Sequence, residues 1–477
     1  MTARPVDAEA VGADRASVGR ASSGRASSGS ASVDVVIPYY REQRMLDRIL
    51  AALRRQTGLA RPPRVIVADD GSPTPPTVPP EVTVVRQEDR GFRASAARHL
   101  GAGAGDGELI LFLDGDTVPG PDYVATLLAA LEHNPDLLVV GRRRYGRFAD
   151  NAEPDRAGPN RADLDRVDLE PAEVLPDPAW PASFYAETDD LTRDEGGWRA
   201  GLWRGVLSAV FGLHRRLYDL SGGFDPGIVG YGGEDWDLAW RCEQVGGRLR
   251  HVPDAVAWHD GPDWGGRAED DPGHLAQKNA ETARLAPLIV SPLTRPAGGI
   301  FEVPLIAAHV HARHAGSGTG NAGSGADAAT CASLLRWADV AATADPSTTD
   351  AAEIAELFAA DPRVRLAARG PWWEPGTQGP GPRRRPEVLV DILRPCALGA
   401  LDPDRLRALC PPGGSVTLDD DEGRVLAQVR TSRALAREQH WDERSGAPAS
   451  IPAAEVGVRP FGADGAGVRL ERILGGW

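Results

Sequence analysis

The sequence predicts an α/β protein whose first half is a mostly parallel, Rossmann-like sheet covered by helices. Three observations carry this. Short apolar runs alternate with amphipathic segments from Val33 onward, and most of those runs end in acidic or glycine-containing turns. The run Leu109–Leu113 is wholly apolar, as a buried strand is. In such sheets ligands sit beyond the carboxyl ends of the strands, so chemistry is expected in the turns that follow them.

Taken in order, Val33–Pro38 is the first strand, stopped by proline. Met45–Arg55 places Leu46, Ile49, Leu50 and Leu53 on one helical face. Arg64–Ala68 is the second strand and ends in Asp69-Asp70-Gly71-Ser72; Val82–Val85 is the third, followed by a small-residue helix over Ser95–Ala104. Leu109–Leu113 runs straight into Asp114-Gly115-Asp116, and a helix is predicted from about Pro121 to His133. Residues 147–198 are polar, acidic and proline-rich, and are expected to form a long excursion or lid. Regular patterning resumes at Gly205–Phe211, and Val252–Trp258 is a further strand leading to His259. Breaks follow around 263–273, 316–326 (a Gly/Ser/Ala linker-like loop) and 372–385.

With 477 residues the chain can bury two or three cores. The expected division is a disordered tail over 1–32, an α/β domain over 33–290 and a second α/β domain over 300–477. A net charge of −15 excludes the basic footprint that a nucleic-acid partner requires. Lys278 is the only lysine, and arginine carries the remaining positive charge. Cys242, Cys331, Cys396 and Cys410 are too scattered for a disulfide scaffold or a zinc site, which points to a reducing cytoplasm. The first 32 residues have the composition of neither a signal peptide nor an anchor, and no stretch approaches the roughly 20 apolar residues of a spanning helix. The expected location is cytoplasmic, with peripheral visits to the inner face of the membrane left open.

Four local patterns carry chemistry. Asp114 and Asp116 sit one residue apart on a turn leaving a buried strand, where they can share a hard divalent cation that in turn holds a diphosphate. Asp70 also follows a strand, where its carboxylate can accept a hydrogen bond from a base edge. Gly222-Gly223-Phe224-Asp225 and Tyr231-Gly232-Gly233-Glu234-Asp235-Trp236 combine glycines that let backbone approach a sugar with acids that open a helix. His259 ends its strand where imidazole can complete a metal site. Each pattern alone also has an ordinary structural reading, as turn chemistry or helix capping.

In combination and order, these motifs resemble family 2 glycosyltransferases of the GT-A fold. The order is Pro38-Tyr39-Tyr40-Arg41-Glu42, Asp69-Asp70-Gly71-Ser72, Gly91 with Ala97-Arg98, Asp114-Gly115-Asp116, Gly222-Gly223-Phe224-Asp225, Gly232-Gly233-Glu234-Asp235 and Trp258-His259. The later part is also similar to the galactosyltransferase and polypeptide N-acetylgalactosaminyltransferase group. The resemblance covers about half the chain. It implies a nucleotide-sugar site lined by Pro38, Tyr40, Glu42, Asp70, Arg98, Asp114, Gly115 and Gly233, with Asp70 facing the base. It implies Mn2+ or Mg2+ on Asp114, Asp116 and His259, Asp235 as general base, and Glu234 beside it holding sugar hydroxyls. The implied reaction is inverting transfer from a nucleoside diphosphate sugar, a UDP-sugar by family habit, to a hydroxyl of a glycan, glycolipid or small molecule. Two rivals remain: a retaining N-acetylgalactosaminyltransferase-like enzyme, and a non-catalytic carbohydrate-binding scaffold. His99 stands where many relatives carry Asn, and Tyr231 and Trp236 also depart from the pattern, which leaves the sugar open.

The second half echoes the first. Phe301–Ile306 parallels the first strand, Ala344–Thr348 parallels Ala68–Thr74, and Val388–Asp391 parallels the fourth strand. Asp391 is followed by Ile392 and Leu393, so the paired aspartates are lost. We therefore expect a non-catalytic, GT-A-like repeat. Asp419-Asp420-Asp421-Glu422 reads as a hairpin turn, and His309, His311 and His314 as a surface segment.

Overall fold

The computed structural model describes residues 31–149, 164–165, 167–178, 201–262, 272–296, 298–312, 325–368, 383–398, 401, 403–410, 414–442, 448–461 and 468–470. Residues 1–30 of the expected tail, most of the lid, the break at 263–271, most of the linker loop, 369–382 and His314 lie outside these residues. The chain forms two compact units, the first ending at Glu281 and the second beginning at Thr282, with Glu243–Gly246 counted to the second.

The first unit carries β1 (Val33–Tyr39), α1 (Gln43–Arg54), β2 (Arg64–Asp69), β3 (Thr83–Arg86), α2 (Ala94–Gly103), β4 (Leu109–Leu113), β5 (Thr117–Pro119), α3 (Tyr123–Leu131), β6 (Leu137–Arg147) and β7 (Glu173–Val174). It continues with β8 (Val210–His214), α4 (Arg215–Ser221), α5 (Glu234–Gln244) and β9 (Arg248–Asp260); α6 (Pro272–Leu288) follows. The sheet runs β3-β2-β1-β4-β8-β6-β9-β5. β1 to β4 pair in parallel, as the alternating pattern predicts, and β8 enters antiparallel between β4 and β6. The apolar face of α1 buries Leu46, Ile49, Leu50 and Leu53, each stabilising the fold by roughly 1.5–3 kcal/mol.

β5 and β6 are among the strands that escape sequence reading. β5 is only three residues long, and β6 breaks from the apolar Leu137–Val140 into three consecutive arginines. The β6–β9 register slips between Gly141 and Arg142, a bulge or irregularity in the pairing.

The second unit contains β10 (Ile306–Val310), α7 (Ala326–Leu334), β11 (Val340–Ala344), α8 (Ala351–Leu357), β12 (Val364–Leu366), β13 (Val388–Ile392) and β14 (Cys396–Ala397). Then come α9 (Pro403–Leu409), β15 (Ser415–Asp419), β16 (Val425–Thr431), α10 (Ser432–His440), β17 (Ala449–Pro452) and β18 (Arg459–Pro460). Its main sheet runs β12-β11-β10-β13-β16-β15-β17. That order repeats β3-β2-β1-β4-β8-β6-β9 position for position, and each neighbouring pair has the same polarity in both sheets. Even the strand-end bonds recur: Asp70 N donates to Tyr39 O at 2.9 Å, and Asp345 N to Val310 O at 3.0 Å. Asp345 therefore stands where Asp70 does. Counted along the paired strands from there, Asp391 falls at the position of Asp114 and Leu393 at that of Asp116.

What is missing is the segment that carries α5 in the first unit. Between α4 and β9 the first unit has 26 residues, 222–247; between α10 and β17 the second has eight, 441–448. Two sequence expectations are corrected here. The first strand of this unit is Ile306–Val310, not Phe301–Ile306, because the apolar stretch continues through Ala307, Ala308 and Val310. His309 is buried on β10 and bonded to Thr343 Oγ1 at 2.9 Å, so it is part of the sheet and not a surface segment. The acidic run is a hairpin turn, with Gly423 N and Arg424 N both donating to Asp420.

Candidate active site

The turn after β4 is built by β-pairing. Thr117 N donates back to Asp114 O at 3.1 Å, closing the turn, and a Cβ at Gly115 would lie 2.8 Å from Pro38 O, so only glycine fits. β5 then pairs with β9 so that Thr117 faces His259, and Asp260 N donates to Asp116 O at 2.9 Å. This register brings Asp116 Oδ1 to 3.2 Å from His259 Nδ1. The contact lacks hydrogen-bond alignment, leaving His259 Nδ1 buried without a hydrogen-bond partner. Burial pushes the Asp116 carboxyl up, but His259 and Thr117 outweigh it, so Asp116 sits below its ordinary value.

A pair of ligating atoms at this spacing, one of them orphaned, fits two neighbouring positions on a divalent cation. Among the described residues no group of three or more ligating side chains converges, so the other positions of such an ion would fall to water and substrate oxygens. Asp114, the third ligand implied by the resemblance, is turned instead to Arg98, which donates Nη2 to Asp114 Oδ1.

Arg98 comes from α2 and is buried. Its other nitrogen, Nη1, donates to Glu234 Oε1 at 2.9 Å, so one guanidinium ties the turn after β4 to the start of α5. α5 begins with Glu234 and Asp235, as the sequence predicts. Asp235 Oδ1 accepts from Trp236 N at 2.8 Å and Oδ2 from Ser208 N at 3.1 Å. Burial, with the charge of Glu234 beside it, pushes Asp235 up to about 7. A Cβ at Gly232 would lie 2.9 Å from the Glu281 carboxyl, so this glycine makes room for a side chain of α6, while Gly232 and Gly233 both line the cavity.

On the opposite wall, Asp70 accepts from Gln87 Nε2 at 2.5 Å and from Arg93 N at 2.7 Å, and burial raises its pKa. Tyr40 extends outward with its hydroxyl 3.3 Å from Asp89. All twelve residues named from the sequence line one cavity of about 1060 Å³: Pro38, Tyr40 and Glu42 after β1, Asp70 after β2, Arg98 on α2, Asp114, Gly115 and Asp116 after β4, Gly233, Glu234 and Asp235 at α5, and His259 on β9. The sequence reading missed Phe92, Arg143, Arg204, Lys278 and Glu281, which line it too. The uniqueness of Lys278 among 53 basic residues was the available signal for that residue. The cavity carries nine carboxylates against the four cations Arg98, Arg143, Arg204 and Lys278. A diphosphate would meet net repulsion there unless a metal ion entered with it.

Among the described residues, no helix is long and apolar enough to cross a membrane. Residues 34–186 match the family model described as glycosyl transferase family 2. The chain is 33 % identical over 224 residues to a validoxylamine A glucosyltransferase of Streptomyces hygroscopicus subsp. limoneus, covering 45 % of this chain and 48 % of that one. It is 26 % identical over 251 residues to a hyaluronan synthase of Pasteurella multocida, covering 48 % of this chain and 25 % of the other. The chain thus spans half or less of the length of these curated relatives. Among solved structures, GalNAc-T7 with UDP, GalNAc and Mn2+ aligns at a TM-score of 0.34 and 19 % identity, over 49 % of this chain and 45 % of that one.

Proposed function

We propose that the first unit, whose residues 34–186 match the glycosyl transferase family 2 model, moves a sugar from a nucleoside diphosphate donor to an acceptor hydroxyl with inversion. One observation carries the reading: the Asp114-Gly115-Asp116 turn and Asp235 line the same cavity. In the proposed step the acceptor oxygen bonds to the anomeric carbon as the bond from that carbon to the diphosphate oxygen breaks. The acceptor proton passes to Asp235, and the electron pair leaves with the diphosphate. A pKa near 7 lets Asp235 be ionised before the step and hold a proton after it. Ser208 N and Trp236 N orient both of its oxygens.

A Mn2+ or Mg2+ ion would be held by Asp116 and His259 and would supply positive charge to the leaving diphosphate. Arg98 keeps Asp114 and Glu234 in place, which leaves Glu234 beside the base to receive sugar hydroxyls. A UDP-sugar is the proposed donor, with Asp70 and Tyr40 on the base side and the acceptor a glycan, glycolipid or small molecule. The second unit is proposed to be non-catalytic, because Leu393 replaces the second aspartate and the segment carrying α5 has no counterpart. Location in the cytoplasm, with access to the inner membrane face, is part of the same proposal.

The test is thermal stability with nucleoside diphosphates, with and without Mn2+. UDP with Mn2+ at 100 times its Kd should add about 2.7 kcal/mol, and UDP alone should add far less. Asp116→Ala should remove the metal-dependent part. If no nucleoside diphosphate stabilises the protein under either condition, the transferase reading fails.

A further inference from the structure

Two tryptophans meet beside the proposed base. Trp236 follows Asp235 at the start of α5, is half-buried and lines the cavity. Its ring meets that of Trp203 edge to face, with centroids 5.8 Å apart and planes at 71°. Trp203 is buried on a single tight turn, Leu202–Gly205, a few residues before β8. Leu202, Val206 and Ala209 around it are buried as well, and Val206 N donates to Trp203 O at 3.2 Å. Residues 201–208 therefore form a loop anchored by apolar side chains. Its last residue is Ser208, whose N–H reaches Asp235 Oδ2 at 3.1 Å across 27 positions of sequence. The other oxygen of Asp235 accepts from Trp236 N at 2.8 Å. One tryptophan thus lies on each of the two segments that hold the carboxylate.

We propose that Trp203 and Trp236 are a positioning pair: their contact fixes the 201–208 loop against the start of α5 and so keeps Ser208 N on Asp235. This rests on the transferase reading above, in which Asp235 is the base. Edge-to-face packing has a preferred geometry that a pair of aliphatic side chains lacks, so it holds the loop at one place along the helix. A backbone N–H on a carboxylate stabilises the ionised form, and a loop that drifts withdraws that stabilisation. The charged and titratable groups around Asp235 are Glu234 on α5, Arg98 on α2, Asp114 after β4, Tyr231 before α5, Arg204 on the loop, and Lys278 and Glu281 on α6. Replacing Trp203 leaves all of these in the chain, so a changed protonation of Asp235 reports the geometry of the loop. Lys278 Nζ lies 5.8 Å from the Trp236 ring, which makes Trp203 the cleaner position to vary and Trp236 the supporting one.

The experiment uses the full chain with Mn2+ and reads nucleoside diphosphate release from a panel of UDP- and GDP-sugars, with water as acceptor, across the acid limb and the plateau above it. Trp203→Leu should move the acid limb up by about one pH unit, the scale of one lost hydrogen bond to a carboxylate. Trp203→Phe keeps a ring at the contact and should return the limb most of the way. Trp236→Ala, at a half-buried position, supplies a second folded variant should Trp203→Leu not fold, and should move the limb in the same direction. A tryptophan with a merely structural role would lower the rate at every pH alike and leave the limb where it is. A limb that fails to rise in either variant that folds, or a rise that Trp203→Phe shares in full, overturns the pair while wild-type turnover still upholds the transferase reading. A wild-type chain that releases no nucleoside diphosphate from any of these sugars overturns that reading and takes the pair with it.

Discussion

The Arg98 guanidinium donates Nη1 to Glu234 Oε1 at 2.9 Å while its Nη2 holds Asp114, and Arg98 and Glu234 are both buried. A bridge of this kind is stable only while every member is present, since a buried charge without its partner is far costlier than a neutral group. Replacing Arg98 with Met should therefore destabilise the first unit by about 3–5 kcal/mol, read as a drop in melting temperature. Arg98→Lys keeps the charge but not the fork that reaches two carboxylates, so it should recover only part of that loss. A variant without Arg98 that melts like the wild type would show that the two carboxylates do not depend on it.

The proposed base, Asp235, is expected to set the acid limb of the rate profile. Asp235 is raised to about 7 by burial first and by Glu234 second, so below that pH it carries a proton and accepts none. Activity should rise as pH increases through about 7. Glu234→Gln removes the neighbouring charge, which should lower the Asp235 pKa and move the acid limb to lower pH. Asp235→Asn should reduce transfer by about 10²-fold or more, the usual worth of a positioned general base. An acid limb that stays in place in Glu234→Gln would show that another group controls it.

Much of this site was legible because its parts are local. Strand, turn and acid occur together at Asp70 and at Asp114-Gly115-Asp116, and the start of α5 announces itself with Glu234-Asp235 after glycines. The connections between those parts were not legible. Arg98 and Glu234 are 136 residues apart, and nothing in either neighbourhood names the other. β6 escapes the sequence reading because three consecutive arginines follow the Leu137–Val140 run within the same strand. His309 looked like one of a polar cluster until its register with Thr343 and Asp391 placed it inside a sheet. That Gly232 also makes room for the Glu281 side chain depends on packing that its neighbourhood in sequence does not announce. Sequence shows chemistry along the chain; what packs across it depends on strand order.

Affinity for the proposed metal ion should depend on His259 as well as on Asp116. Its Nδ1 is buried, has no hydrogen-bond partner and lies 3.2 Å from Asp116 Oδ1, the other proposed ligand. His259→Ala should raise the Mn2+ concentration giving half-maximal activity at least ten-fold, since about 1.4 kcal/mol of lost coordination is a factor of ten. An unchanged Mn2+ requirement would assign the ion to other groups.

The last prediction concerns the second unit. Asp391 stands where Asp114 stands in the first, yet it is satisfied from within: Oδ1 is bonded to His311 Nε2 at 2.9 Å and Oδ2 accepts from Arg430 Nη2 at 3.2 Å. Protein groups thus occupy both oxygens of the carboxylate, and the following residues Ile392 and Leu393 bring no second acid. Asp391→Ala should therefore act as a stability change, not a catalytic one. Removing a buried acceptor from an arginine and a histidine should cost about 1–3 kcal/mol. Nucleotide-sugar consumption, measured well below the melting temperature, should remain at the wild-type level. If consumption fell while the melting temperature held, the repeated sheet order would extend to repeated chemistry, and the second unit would have to be counted as part of the enzyme's machinery.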